Sequence, residues 1–282
     1  MKKFFKIFYD AGYNTVYDDG IEHAGYLAFL GLLALFPAII FLFSIASIIG
    51  HQEYGIDIIN QLYGILPKNI TSEIEPIVKQ ILSGPPQGLL TIAVIGILWT
   101  ASGAVEGTRT ILNKAYNVTT PPNYFFRRGL SILQFIVFIF ILIIAMFFLT
   151  IVPKIIGQLE QEIGFQTNPN VPLIRYLLSA FALFLVVSIS YYVLPNIKQK
   201  FLYVIPGAIF CVVLWLITIA VFTNVVAHYT RINAVYGSLA GVIITLIFFY
   251  VVSLIYIYAA EFNYYLEVYL GHKIEEKEHV DW

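Results

Sequence analysis

Six stretches of this chain contain no Asp, Glu, Lys or Arg: residues 24–50, 88–105, 130–152, 176–197, 201–227 and 234–260. They make up just over half of the 282 residues, so the 16 basic and 17 acidic side chains crowd into the segments between them. A helix in water needs a polar face, whereas a helix in hydrocarbon stays apolar all round for about 20 residues. A soluble enzyme and a disordered chain are thereby excluded, and the single cysteine, Cys211, excludes a disulfide-stapled secreted domain. Strands of a membrane β-barrel alternate lipid-facing and lumen-facing residues, but Ile136 to Leu142 is apolar at every position. The sequence therefore specifies an all-α, polytopic membrane protein of one domain, residues 1–282, with six transmembrane helices.

Before the first span, residues 2–19 place Phe4, Phe8 and Ala11 at helical spacing beside Lys2, Lys3 and Lys6. This pattern predicts an amphipathic helix lying on the membrane surface. Asp10, Asp18, Asp19 and Glu22 separate these lysines from the long apolar run, so the first window reads as a retained span rather than a cleaved signal. Pro37 sits at its middle and predicts a kink. Residues 51–87 form a connection with helical signals of its own, interrupted by Pro67. The second window is short, and the absence of a breaker before Thr119-Thr120-Pro121-Pro122 predicts that its helix continues to about Tyr116. Spans four and five, separated by Lys198-Gln199-Lys200, read as a tight hairpin, and within the cytoplasmic tail 268–282 the acidic run Glu275-Glu276-Lys277-Glu278 reads as solvated and frayed.

Six spans place both termini on one side. That side takes Lys2, Lys3, Lys6, Arg109, Lys114, Arg127, Arg128, Lys198, Lys200, Lys273 and Lys277, against Lys68, Lys79, Lys154, Arg175 and Arg231 opposite. The excess of positive charge predicts cytoplasmic termini, with 51–87 external.

Candidate chemistry falls at the span ends. Glu106, Arg109 and Asn113, at i, i+3 and i+7, share one helix face, and they read either as a polar gate or as a boundary ion pair that sets helix depth. Gly103 and Gly107 just before them, and Gly237 and Gly241 in the last span, have the small-xxx-small spacing of close helix contacts. Glu261 and Asn263 follow the last span, with Arg127 and Arg128 on the same side as possible partners for the carboxylate. Cys211 reads as a packing residue. Tyr26, Tyr176, Tyr191, Tyr192 and Tyr203 read as an aromatic belt.

Taken in order, Leu35-Phe36-Pro37, Ala101 to Arg109 with Leu112 to Tyr116, Pro206-Gly207-Ala208, and Tyr236 to Leu239 with Ala260 to Asn263 resemble the YihY/BrkB family of bacterial inner-membrane proteins. The resemblance spans roughly residues 20 to 268; Phe249 departs from it where a tryptophan is expected. It implies a six-helix inner-membrane protein and brings the labels "virulence factor" and "ribonuclease BN", without an activity. The residues argue against a nuclease. His23, His51, His228, His272 and His279 are scattered over both sides with no metal-binding spacing, and no basic field suited to nucleic acid exists at a net charge of −1. No metal or cofactor is expected. Nor does any window hold the midplane carboxylate or lysine typical of ion-coupled carriers.

Two readings stay open. In one, the bundle handles an anionic lipid, another amphiphile or a small solute, with Glu106, Arg109, Arg127 and Arg128 meeting head groups at the cytoplasmic rim. In the other, it is a non-transporting envelope scaffold, docking a partner protein through 51–87 or a second copy of itself.

Overall fold

The computed structural model describes residues 2–49, 76, 87–119, 124–125, 127–140, 171–228 and 239–277; in stretches such as 36–49 and 224–228 only the helical path is described. Most of the 51–87 connection, the ends of spans three and six, and Gly237 lie outside them, as does the side chain of Pro37.

The described chain is all-α apart from one two-stranded pairing. Its elements are α1 (Lys2–Tyr17), α2 (Gly20–Ile49), α3 (Gln87–Ala115), α4 (127–140), α5 (Val171–Val193), β1 (Ile197–Lys198), α6 (Phe201–His228), α7 (Leu239–Tyr269) and β2 (Glu275–Glu276). Packing divides the chain into two compact units, one of Met1–Ile21, Thr108–Leu216 and Ile255–Trp282, the other of Glu22–Gly107 and Ile217–Leu254.

Among the described residues, two helical stretches are long and apolar enough to cross a bilayer: Phe201–Thr223, of mean hydropathy 2.7, and Gly241–Tyr269, of 2.5. Only 28% and 17% of their most apolar windows are buried, so their apolar surface faces outward, as hydrocarbon requires and water does not allow. The hydroxyls in such helices satisfy themselves. Thr223 Oγ1 donates to Ile219 O and Thr245 Oγ1 to Gly241 O, each at 2.8 Å, so neither presents an unmet polar group to lipid.

Within the second unit, α2 and α3 meet at Gly107. A Cβ there would lie 2.8 Å from Tyr26 Cε1 and 3.2 Å from Leu27 Cδ2, which is the close approach expected of a small residue. At Gly241, among the described residues, nothing lies within 4 Å of the Cβ position.

The first unit gathers α1, α4 and α5 with the C-terminal parts of α3 and α7 and the N-terminal part of α6. Ile7, Phe8 and Ala11 of α1 pack against Phe210, Tyr258 and Phe262, while Phe5, Tyr9, Tyr13 and Tyr17 form an exposed stripe on the opposite face. The bundle thus occupies the side containing Phe8 and Ala11, and any membrane contact of α1 falls to the aromatic stripe. Tyr269 Oη donates to Asp10 Oδ2 at 2.8 Å, tying α1 to the end of α7. Asp19, at φ 55°, turns the chain into α2. Its left-handed backbone is one that Asp tolerates, and Lys114 Nζ holds its carboxylate at 2.6 Å.

Three sequence expectations need correction. The α5 helix ends at Val193, not near 197, because the residue before a proline is pushed out of the helical region and Pro195 follows Leu194. The connection to α6 is therefore longer than the three-residue hairpin. It carries β1, which pairs antiparallel with β2 in the register Ile197↔Glu276 and Lys198↔Glu275. The tail is accordingly pinned rather than frayed as far as Lys277: Glu276 Oε1 accepts from both Thr119 N and Thr119 Oγ1 at 2.8 Å, and Lys277 N donates to Asn196 O at 3.0 Å. Finally, Tyr191 is no belt residue. It is fully buried, and its hydroxyl donates to Tyr256 O at 2.6 Å.

Glu276→Ala removes the acceptor shared by both Thr119 donors. Faster amide exchange across 274–277 is expected with no loss of helix protection; unchanged exchange would show that β1 alone holds the tail.

Candidate functional site

The helix α3 carries Glu106, Arg109 and Asn113 one turn apart. Glu106 is half-buried, whereas Arg109 is only 3% exposed and is committed to neighbours. Its Nη1 donates to Arg127 O at 2.9 Å and its Nη2 to Gln134 Oε1, so one guanidinium grips both the backbone and a side chain of α4. The planar fork of arginine suits this two-point hold, which a lysine cannot reproduce. Arg127 and Arg128 are half-buried at the start of α4. Asn113 Oδ1 accepts from Asn196 N at 2.7 Å, while its Nδ2 is buried without a hydrogen-bond partner.

At the end of α7, Asn263 works inside α6. Pro206 lacks an N–H, so the α6 ladder omits its bond to Leu202 O, and the Asn263 amide lies against the adjoining turn. Its Oδ1 accepts from Gly207 N at 2.7 Å and its Nδ2 donates to Val204 O at 3.2 Å. Both ends of the amide are used, so Asn263 locks α7 to α6 at this point.

Glu261 is 1% exposed, and its Oε2 has no hydrogen-bond partner. The structure does not bring it into an ion pair with Arg127 or Arg128; the charged group acting on it is Asp18. Glu267, one and a half turns further on, is buried with Oε1 unpartnered, and the Tyr116 hydroxyl is buried near both glutamates. Polar atoms that a soluble core would pair off thus collect at this end of α3 and α7.

Glu267 also faces outward into an open pocket of about 840 Å³ between the α5–α6 connection and the C-terminal segment. Its rim carries Lys198, Lys200, Lys273 and Lys277, against Glu267 and Glu275. Tyr203 and His272 stack face to face in its wall, with centroids 4.3 Å apart and 19° between the planes, and His272 Nδ1 is buried without a partner. Burial holds the Lys277 amine below the usual lysine range, helped by the Arg109 guanidinium, and its Nζ reaches Pro195 O at 3.3 Å. Four positive side chains on a concave wall favour an anion. Among the described residues, no group of three or more His, Cys, Asp or Glu converges as a metal site would require.

Sequence reasoning used these lysines only to orient the spans and passed over Tyr203, Glu267 and His272 as site residues. The available signal was local: Lys198-Gln199-Lys200 and His272-Lys273 are basic clusters directly flanking apolar helices. Nothing in the sequence says that the two face each other.

A family model described as Virulence factor BrkB matches residues 13–281. The chain is also 29% identical over 248 residues to YfkH of Bacillus subtilis (strain 168), whose name describes it as ribonuclease-like; the alignment takes in 87% of this chain and 89% of that protein. No solved structure matches.

Proposed function

This chain belongs to the virulence factor BrkB family, and on that premise we propose that it is a multi-pass inner-membrane protein that takes the anionic head of an amphiphile, or a small anionic solute, into the basic pocket. The observation that carries this reading is the pocket itself: a concavity of ligand size, about 840 Å³, rimmed by four lysines at the ends of apolar helices. In the proposed topology six spans cross the bilayer with both termini cytoplasmic, and the pocket opens to the cytoplasm. Passage is not coupled to a titrating group at the midplane, since no span contains one. The reading is non-enzymatic. The ribonuclease-like name of the relative is not carried over into this reading.

The test is transport by purified protein in sealed vesicles, reading both lipid scrambling and release of an enclosed phosphate ester. Wild type is expected to accelerate one of them. Lys200→Glu with Lys273→Glu reverses two exposed charges of the rim and is expected to slow it about tenfold, equivalent to about 1.4 kcal/mol of lost head-group interaction. Exposed positions of this kind leave stability nearly unchanged. No flux from wild type, together with a stable partner captured through 51–87, would replace this reading with the scaffold.

A further inference from the structure

We propose that the pocket recognises a phosphate ester carrying a free hydroxyl, with the lysines holding the phosphate and Glu267 accepting the hydroxyl; this rests on the reading that the pocket takes an anionic head group. A bare anion explains the lysines but not the glutamate. Glu267 is 4% exposed, lines the pocket, and has Oε1 without a hydrogen-bond partner. A carboxylate at this position repels phosphate and costs stability as an unmet buried acceptor. Both penalties are answered by one ligand feature, a hydroxyl donor held a few bonds from the phosphate.

The surroundings fit the same ligand. Lysine binds phosphate as a point charge with three rotatable donors, and Lys200 and Lys273 line the pocket from the α5–α6 connection and from the C-terminal segment. The Tyr203–His272 stack fixes the imidazole orientation, so the unpartnered His272 Nδ1 is a second polar atom in a set position. The volume far exceeds that of phosphate alone and accommodates a glycerol- or hexitol-sized polyol phosphate. A soluble polyol phosphate and a phospholipid with a polyol head share this chemistry.

The experiment uses the full chain and two matched pairs of probes. In detergent, glycerol 3-phosphate is compared with methyl phosphate. In nanodiscs, phosphatidylglycerol is compared with phosphatidylethanol, which has the same charge and lacks the hydroxyls. Wild type is expected to prefer the hydroxyl-bearing member of at least one pair by about tenfold. Preference in the lipid pair alone identifies a membrane source, and preference in the soluble pair alone a free phosphate ester. Glu267→Leu is expected to reduce the preference to within about twofold and leave methyl phosphate binding unchanged. If that variant does not fold, Glu267→Gln takes its place with a several-fold smaller preference, since a neutral acceptor makes the weaker bond. Equal binding within both pairs, or a preference that survives at Glu267→Leu or is undiminished at Glu267→Gln, overturns the proposal. Flux without hydroxyl preference overturns this inference and leaves the transport reading intact; hydroxyl preference without flux does the reverse.

Discussion

Replacing Gly207 with alanine is expected to lower the melting temperature of the detergent-solubilised protein by on the order of 10 °C, or to prevent accumulation of folded protein. The added Cβ would lie 2.4–2.5 Å from the amide carbon, nitrogen and oxygen of Asn263, a separation that no rotamer change of a buried, doubly bonded amide relieves. Driving Asn263 out breaks both of its buried hydrogen bonds to α6, at about 0.5–1.5 kcal/mol each, and overpacking adds about 1–3 kcal/mol more. Against a total stability of about 5–15 kcal/mol, that is a large fraction. Gly25→Ala is the matched control. Nothing lies within 4 Å of its Cβ position, and alanine is the better helix former by about 1 kcal/mol, so its melting should be unchanged or slightly raised. Asn263→Asp separates the two halves of the lock: it keeps the acceptor for Gly207 N but sets a carboxylate oxygen against Val204 O. It should fall between wild type and Gly207→Ala. Equal melting of Gly207→Ala and Gly25→Ala would remove the lock from the account.

The lock shows what the sequence could and could not convey. Pro206-Gly207 and Glu261-Phe262-Asn263 both stood out as short motifs, but the first read as the opening of a span and the second as a polar exit from another. Their joint meaning depends on α6 and α7 lying side by side, which neither motif encodes. What was legible came from local physics. The charge-free windows are largely helical where they are described, and the lack of a breaker between Glu106 and Thr119 carried α3 beyond its window to Ala115, as expected. The same windows misplaced the end of α5, because absence of charge marks the hydrocarbon and not the helix. A proline inside the window ended the helix first.

The tail and the pocket failed to show for a related reason. Glu275 and Glu276 read as solvated because an acidic run usually is, yet β1 lies far back in the chain and offers them a partner edge. That pairing brings two basic clusters to one concavity. Tyr191 illustrates the limit for aromatics: at a span end a belt position and a buried hydrogen-bonding position have the same residue type and spacing. Only the neighbour, Tyr256, decides between them.

Arg109 is where the sequence and the structure ask for different experimental outcomes. As a residue meeting anionic head groups, it should tolerate Arg109→Ala with full stability and lose flux. As a buried guanidinium holding Arg127 O and Gln134 Oε1, it should lose stability first. Truncation removes both bonds, and hydrogen bonds to a charged group contribute about 1.5–3 kcal/mol each, so a loss of about 3–5 kcal/mol is expected. Arg109→Lys should recover less than half of it, because a single ammonium cannot span two acceptors on different residues of α4. Gln134→Leu removes the side-chain acceptor, so Arg109→Ala should cost less in that background, with a coupling of about 1–3 kcal/mol in the double-mutant cycle. Melting and flux measured on the same preparations decide the matter. Flux that falls only in proportion to the folded fraction assigns Arg109 to holding α3 against α4. Wild-type melting with lost flux would return it to the substrate path and sink the structural assignment. The Lys200 and Lys273 reversals should give the opposite signature, lost flux at wild-type melting, because those side chains are exposed on the pocket rim.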